Sequence, residues 1–258
     1  MHGSFTQTTR NMQRAFRPPS FRFKDVHLPR IDHPHPLLRG ASFTIAPGKF
    51  GVLTSTSAAD QYGCALLFSG ARNPEQGALR VGDTNISVLP ASDRERLIHW
   101  IPQHPRFPAA TIREIIAPDG GTPVAMVIEA ATRTGIHYEI TALPLGYDSP
   151  IHETTLPAPL HQRILLARAS LAGTPVIVVD ELGDELDVQA RDLLLASLRS
   201  LRDRHTLLLL ARHHASVRAA DHVVLLEGGR VFEEGNPAGL LDWGDRYADA
   251  VRNGGWLL

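Results

Sequence analysis

Residues 174–187 read TPVIVVDELGDELD, and the reading of this stretch decides the fold. Val176 to Val179 are four consecutive β-branched residues, too few for a helix and without polar alternation. Such a run suits a parallel strand covered on both faces. It ends on two adjacent carboxylates, Asp180 and Glu181. In an open α/β sheet, ligands gather beyond the carboxyl ends of the strands, so chemistry is expected here. Acids also cap strands as they meet water, and the surrounding chain has to separate the two readings.

The 258 residues suffice for one large α/β domain or a domain with a subdomain, and 43% hydrophobic content can fill its core. With 26 basic and 27 acidic residues the net charge is −1, which gives no bulk electrostatic case for nucleic acid or an anionic membrane. A single cysteine, Cys64, excludes an internal disulfide framework and fits a reducing compartment, with plain core packing as its role. No apolar run approaches the roughly 20 residues needed to span a bilayer. Residues 1–20 carry no apolar core and read as a mobile leader rather than a secretory signal. The 13 histidines are scattered, and the His33-Pro34-His35-Pro36 run reads as a rigid, solvated loop rather than a metal site.

Working outward, short strands are expected at Phe21 to Val26, Ala41 to Ile45, Phe50 to Thr54, Ala78 to Val81, Asn85 to Val88 and Ile98 to Ile101. A helix is expected from Ala58 to Phe68, and Ser92 is a candidate cap for a short polar helix before Ile98. Residues 104–159 change character: helical patterns at 111–116, 124–134 and 136–143 with Pro/Gly punctuation suggest a helical subdomain inserted between residues 21–103 and 160–258. Apolar residues at 160, 164, 167 and 171 have helical spacing. Asp187 is a plausible N-cap for a helix through Leu201, and strands at Thr206 to Leu210, His222 to Leu226 and Arg230 to Phe232 close the sheet.

Strand, turn, helix, inserted helical block, then strand-Asp-Glu resembles the nucleotide-binding domain of ATP-binding-cassette (ABC) transporters, over about Phe21 to Leu241. Pro102-Gln103 resembles the family's Q-loop, whose glutamine senses Mg²⁺ and the attacking water. Thr111 to Glu114 is similar to the segment after that loop in exporters, and Leu143 to Glu153 to the stretch whose glutamate touches the membrane domain's coupling helices. Gln162-Arg163 through Ala169 resembles the helix after the signature motif. Val176 to Glu181 resembles Walker B, Leu186-Asp187 the end of the D-loop, and Ala220-Asp221 with Glu227 to Gly235 the closing strands. The resemblance implies a P-loop-NTPase-like α/β core sheet with an inserted helical subdomain and an antiparallel β subdomain. It also implies that Asp180 helps hold Mg²⁺ and that Glu181 polarises the water.

The departures from that pattern matter as much. A phosphate cradle needs GxxxxGK[ST]: glycines let backbone amides close on the phosphates, Lys reaches their outer oxygens, and Ser/Thr binds Mg²⁺. Aligned back from Gly70 and Pro74, this chain has Ser55, Thr56, Ser57, Ala58, Ala59, Asp60, Gln61 and Tyr62 there. Gln61 stands for the lysine, Tyr62 for the Mg²⁺ hydroxyl, and Asp60 adds a negative charge. Losing about three charge-assisted contacts is worth on the order of 4–9 kcal/mol, or about 10³–10⁶ in affinity. At the signature position stand Leu156, Pro157, Ala158, Pro159 and Leu160, and the two prolines remove N–H donors. The switch histidine falls on Arg212, and the adenine-stacking aromatic near Arg30.

These observations point to a regulatory or structural exporter-type ABC subunit with little hydrolysis of its own. Glu181 and Gln103 are then vestigial, Arg212 is expected to neutralise the two acids, and ATP/Mg²⁺ is a cofactor only if the site functions. The implied partners are a membrane-domain chain on another polypeptide and a second ABC subunit, as a heterodimer rather than a homodimer, at the cytoplasmic face of a membrane; no nucleic acid is expected. An active ATPase with an atypical nucleotide site, and a non-transport scaffold, stay open as alternatives.

Overall fold

A computed structural model describes residues 17–31, 33–151, 156–181, 187–211, 213–243 and 246–252. In chain order, the first half contains β1 (Phe21–Leu28), β2 (Leu38–Ile45), β3 (Phe50–Ser55), helix α1 (Ala58–Phe68), β4 (Gln76–Val81), β5 (Thr84–Asn85), α2 (Ala91–Leu97) and β6 (Ile98–Ile101). Helices α3 (Ile112–Ile116), α4 (Val124–Arg133), α5 (His137–Thr141) and α6 (Ala158–Ala172) follow. Then come β7 (Val176–Asp180), α7 (Val188–Ser200), β8 (Thr206–Leu210), α8 (His214–Arg218), β9 (His222–Glu227), β10 (Arg230–Gly235), α9 (Pro237–Trp243) and α10 (Arg246–Arg252).

The strands form two sheets of different character. One is antiparallel, in the order β2-β1-β4-β5, and the other has the order β10-β9-β3-β8-β7-β6. Within the second, β9-β3-β8-β7-β6 are parallel and β10 returns antiparallel on β9. Sequence dictates the contrast. Every residue of β7 and of β8 (TLLLL) is buried, as a strand covered on both faces requires, whereas β1 alternates buried and exposed positions along much of its length.

Three apolar clusters fill the molecule. Phe21, Phe23, Phe43 and Phe68 pack between the antiparallel sheet and one face of the parallel sheet, with Phe23 and Phe43 stacked at 4.5 Å between ring centroids. Cys64 lies fully buried in the same cluster. On the opposite face, Ile177, Val179, Leu207 and Leu209 meet Leu194 and Leu198 of α7. The third cluster joins α3, α4 and α5 to α6 through Ile112, Val127, Ile140 and Ile164. Helix α6 therefore buries two sides, giving Leu166 and Ala169 to the sheet and Ile164 and Ala167 to the helical layer. At about 1.5–3 kcal/mol for each buried large aliphatic side chain, this helix is the main seam between the two layers.

Local chemistry sets the boundaries. Asp187 caps α7 by accepting from Ala190 N at 2.7 Å, as expected. Thr111 and Glu114 form a reciprocal capping box at the start of α3. Two expectations need correction. The strand over Asn85 to Val88 stops at Asn85, whose side chain accepts from Ser87 N and winds Ile86–Val88 into a 3-10 turn. Helix α2 starts at Ala91 after an extended Pro90, whose carbonyl accepts from Asp93 N and Arg94 N, so Ser92 lies inside the first turn and caps nothing.

Candidate functional site

The parallel register brings the carboxyl ends of β6, β7, β8, β3 and β9 to one edge of the sheet. Asp180, the last residue of β7, lies opposite Leu210, the last residue of β8. Gln103, two residues past β6, donates from Nε2 to Asp180 Oδ1 at 3.4 Å and to Glu181 O at 3.0 Å. Gln162 of α6 donates to Pro102 O at 2.9 Å and to Asp180 O at 2.6 Å, which pins the two strand ends together. Glu181 is fully buried. One of its oxygens accepts from His213 N at 3.1 Å and the other from the Ser216 hydroxyl at the start of α8. The structure thus gathers Gln103, Asp180 and Glu181, and adds two residues that sequence reasoning did not assign to the site in these roles. In the sequence, Gln162 is legible only as part of the helix that resembles the one after the family's signature motif. Ser216 is 35 positions from Glu181 and carries no sequence signal.

The turn after β3 is built differently. Only Thr56 and Ser57 separate Ser55, the end of β3, from Ala58, the start of α1. The last five positions of the aligned motif, Ala58 to Tyr62, are therefore helical. Ser57 is the N-cap, its hydroxyl accepting from Ala59 N at 3.2 Å. Ser57 N in turn donates to Ser55 Oγ at 2.9 Å, and Asp60 N and Gln61 N donate to Ser57 O. Gln61 is 3% exposed and donates from Nε2 to Ala211 O at 3.0 Å; its Oε1 is buried with no hydrogen-bond donor among the described residues.

Asp60 points elsewhere. It is 3% exposed and accepts from the Ser55 hydroxyl at 2.9 Å. Burial raises its pKa above the ordinary carboxylate value, opposed by the Gly229 amide, the Ser55 hydroxyl, the Arg39 guanidinium and the Gly228 amide. Desolvation outweighs these donors. Cys64, beneath them, has its thiol pushed up by burial and then by the charges of Asp60 and Asp180. Tyr62, by contrast, is 60% exposed.

At the signature position Pro157 is the exposed N-cap of α6 and makes no side-chain cap bond. Ala158 opens the helix, Pro159 follows in its first turn, Leu156 is half-buried and Leu160 is buried. Prolines are tolerated there because first-turn amides have no partner within the helix. Glu153, Leu186 and Arg212 lie outside the described residues, and with Arg212 goes the expected neutralisation of the acid pair.

Strand order, the helical layer joined through α6 and the carboxylate pair ending a central strand define an α/β domain of the P-loop-NTPase-like ABC type. The chain belongs to the ATP-binding-cassette family, as a nucleotide-binding domain of the exporter type. It is 32% identical over 221 residues to the mycobactin import ATP-binding/permease protein IrtA of Mycolicibacterium smegmatis, covering 85% of this chain and 26% of that protein. It is 28% identical over 237 residues to IrtB of Mycobacterium tuberculosis (91% of this chain, 41% of that one). It is 29% identical over 234 residues to the human ABC-type oligopeptide transporter ABCB9 (89% and 30%). The chain thus spans a quarter to two fifths of the length of these relatives. A solved bacterial Atm1-family ABC exporter with ATP bound superposes with a TM-score of 0.80 at 23% identity, covering 96% of this chain and 47% of that one. No family model matches the chain. Among the described residues no helix is long and apolar enough to cross a membrane, and no cluster of three or more His, Cys, Asp or Glu is placed to hold a metal ion.

Proposed function

We propose that this domain serves as a structural or regulatory ABC subunit of an exporter-type transporter, and that its own β3–α1 turn does not hold a nucleotide for hydrolysis. One observation carries the reading: the amides of Ser57, Ala59, Asp60 and Gln61 are already bonded within the turn and the first helical turn. A phosphate approaching them would have to displace those bonds. It would meet Gln61 where the family pattern places lysine, and Asp60 close by. The residues present do not fit a Mg²⁺-nucleotide. Glu181, in this reading, ties β7 to α8 instead of polarising a water, and Gln103 holds the strand ends.

The ATP-binding/permease character named for IrtA and IrtB supports a membrane domain as the partner, carried on another segment or chain. We assign its contact to a cleft of about 920 Å³ between β6 and the helical layer, floored by Phe68, Trp100 and Leu171 and rimmed by Met126 and Arg168. Import in one relative's name and export in the solved structure's description share one type of domain, so the fold leaves the transport direction open. The proposed layout places the helical subdomain at residues 104–159, within a core formed by residues 21–103 and 160–258. A second ABC subunit would supply the working nucleotide site, which favours a heterodimer.

Two measurements test this. A site of micromolar affinity would add about 4 kcal/mol of stability at millimolar ligand, so Mg²⁺-ATP titration followed by Tm is expected to show no shift, and a clear rise overturns the nucleotide half of the reading. Met126→Glu, a change at a half-exposed position, is expected to leave Tm unchanged while abolishing co-purification of a membrane chain; retention of that chain removes the cleft assignment.

A further inference from the structure

Arg94 is 8% exposed, and its Nη2 donates to Leu67 O and, at 3.3 Å, to Phe68 O at the carboxyl end of α1. Carbonyl dipoles offset a buried cation only in part. Arg168 of α6 is half-buried, and its guanidinium makes neither an ion pair nor a hydrogen bond among the described residues. Both arginines line the cleft of about 920 Å³ beside β6. Two acids line it as well, but Glu95 and Asp119 are exposed, and Asp119 accepts from Thr122 Oγ1 at 2.8 Å. Among the described residues no carboxylate oxygen lies within 4.0 Å of the Arg94 or Arg168 guanidinium. Arg96, also in the lining, is exposed and faces Asp93 at 3.9 Å. The same cleft holds Phe68 and Trp100, stacked at 5.8 Å between ring centroids.

We propose that the cleft takes a peptide segment bearing a carboxylate beside an apolar side chain, the carboxylate pairing with Arg94 and Arg168 and the apolar group covering Trp100. That the segment belongs to the membrane domain rests on the proposed function. The guanidinium fork matches a carboxylate with two parallel bonds, so it fixes orientation as well as charge. A neutral or basic segment would bury these cations without an anion and is rejected on that ground. The acid is therefore the specificity element, and the aromatic floor is the contact area.

The test isolates the charge. 3-Phenylpropionate and its neutral counterpart 3-phenylpropionamide are titrated into the whole chain at constant ionic strength, with the Trp100 indole N–H resonance as the reporter. The acid is expected to shift that resonance saturably, and the amide to bind about ten- to hundredfold more weakly. Arg168→Gln and Arg94→Gln, the latter keeping a donor for the α1 carbonyls, should each weaken the acid and leave the amide unchanged. Equal affinity of acid and amide in the wild type, or a preference that both variants keep undiminished, overturns the inference. Should Arg94→Gln not fold, Arg168→Gln decides alone, because its guanidinium bonds nothing in the described structure. Vesicles of phosphatidylglycerol that bind the wild type while phenylpropionate leaves Trp100 unmoved would give the cations to a lipid surface and overturn the peptide assignment. Absence of the acid preference leaves the membrane contact to the Met126→Glu measurement. Retention of a membrane chain by Met126→Glu sinks that contact and leaves the acid preference standing.

Discussion

Two regions share the carboxyl edge of one sheet and reach it by opposite routes. At the end of β7, Asp180, Glu181 and Gln103 keep the residue types that the family resemblance leads one to expect. At the end of β3, Ser55 to Tyr62 keep almost none. Yet both regions bond their carboxylates from within: Glu181 by His213 N and Ser216, Asp60 by Ser55. Residue identity and residue role therefore come apart here. A carboxylate that looks catalytic in sequence is fully buried and held on both oxygens, and a carboxylate that looks disruptive is buried on the Ser55 hydroxyl. Function has to be argued from the site and not from the fold.

The largest effect expected from breaking this comparison is at Glu181. Glu181→Ala strands the Ser216 hydroxyl and the His213 amide in a dry site, at a cost of about 3–5 kcal/mol. That corresponds to a Tm fall of roughly 6–20 °C for a chain of this size. A variant that melts with the wild type would show Glu181 to be free for other work, and the two regions would then differ in role after all. Next comes pH. Burial, then the Arg168 charge, lowers the His99 pKa from 6.5 to about 4. Burial is also the leading cause of the lowered values at His161, His205 and His214. A base depressed by folding contributes stability that is complete above its unfolded value. That stability is lost as pH falls from 6.5 through about 4. Denaturation midpoints should drop across that window, and His99→Gln should remove on the order of 2–3 kcal/mol of the dependence. Asp60 acts with the opposite sign: its raised pKa favours the fold at low pH, and that share is lost as pH climbs above the ordinary carboxylate value. Gln162→Leu comes third, with about 1–3 kcal/mol expected from two lost bonds across the β6 and β7 ends. Urea midpoints measure it, and no change would mean that those strand ends hold without the amide.

Much of this was legible in the chain, for reasons that can be named. Val176 to Val179 and Leu207 to Leu210 are continuous apolar runs, and burial on both faces leaves a strand no other pattern. Asp187 announces a helix start because capping chemistry is local. What failed was either locally ambiguous or distant. Asn85-Ile86-Ser87-Val88 alternates like a strand, but Asn85 prefers to bond the backbone two residues on. Alignment sets Gln61 opposite a lysine, and only the structure shows its amide on Ala211, 150 residues away.

The smallest expected effect isolates what closes the β3–α1 turn. Tyr62→Ser places a hydroxyl where the family pattern has one, yet leaves Asp60, Gln61 and every bonded amide of the turn as they are. Tyr62 is 60% exposed and lies outside the buried clusters, so its loss should change stability by no more than about 0.5 kcal/mol. Tm with and without Mg²⁺-ATP should coincide with the wild type. If the variant instead gained a nucleotide-dependent rise, the bulk of one aromatic ring, and not the commitment of the amides, would be what keeps a phosphate out. The β3 end would then be a blocked cradle instead of a rebuilt one, and the two ends of the sheet edge would be more alike in origin than their hydrogen bonds suggest.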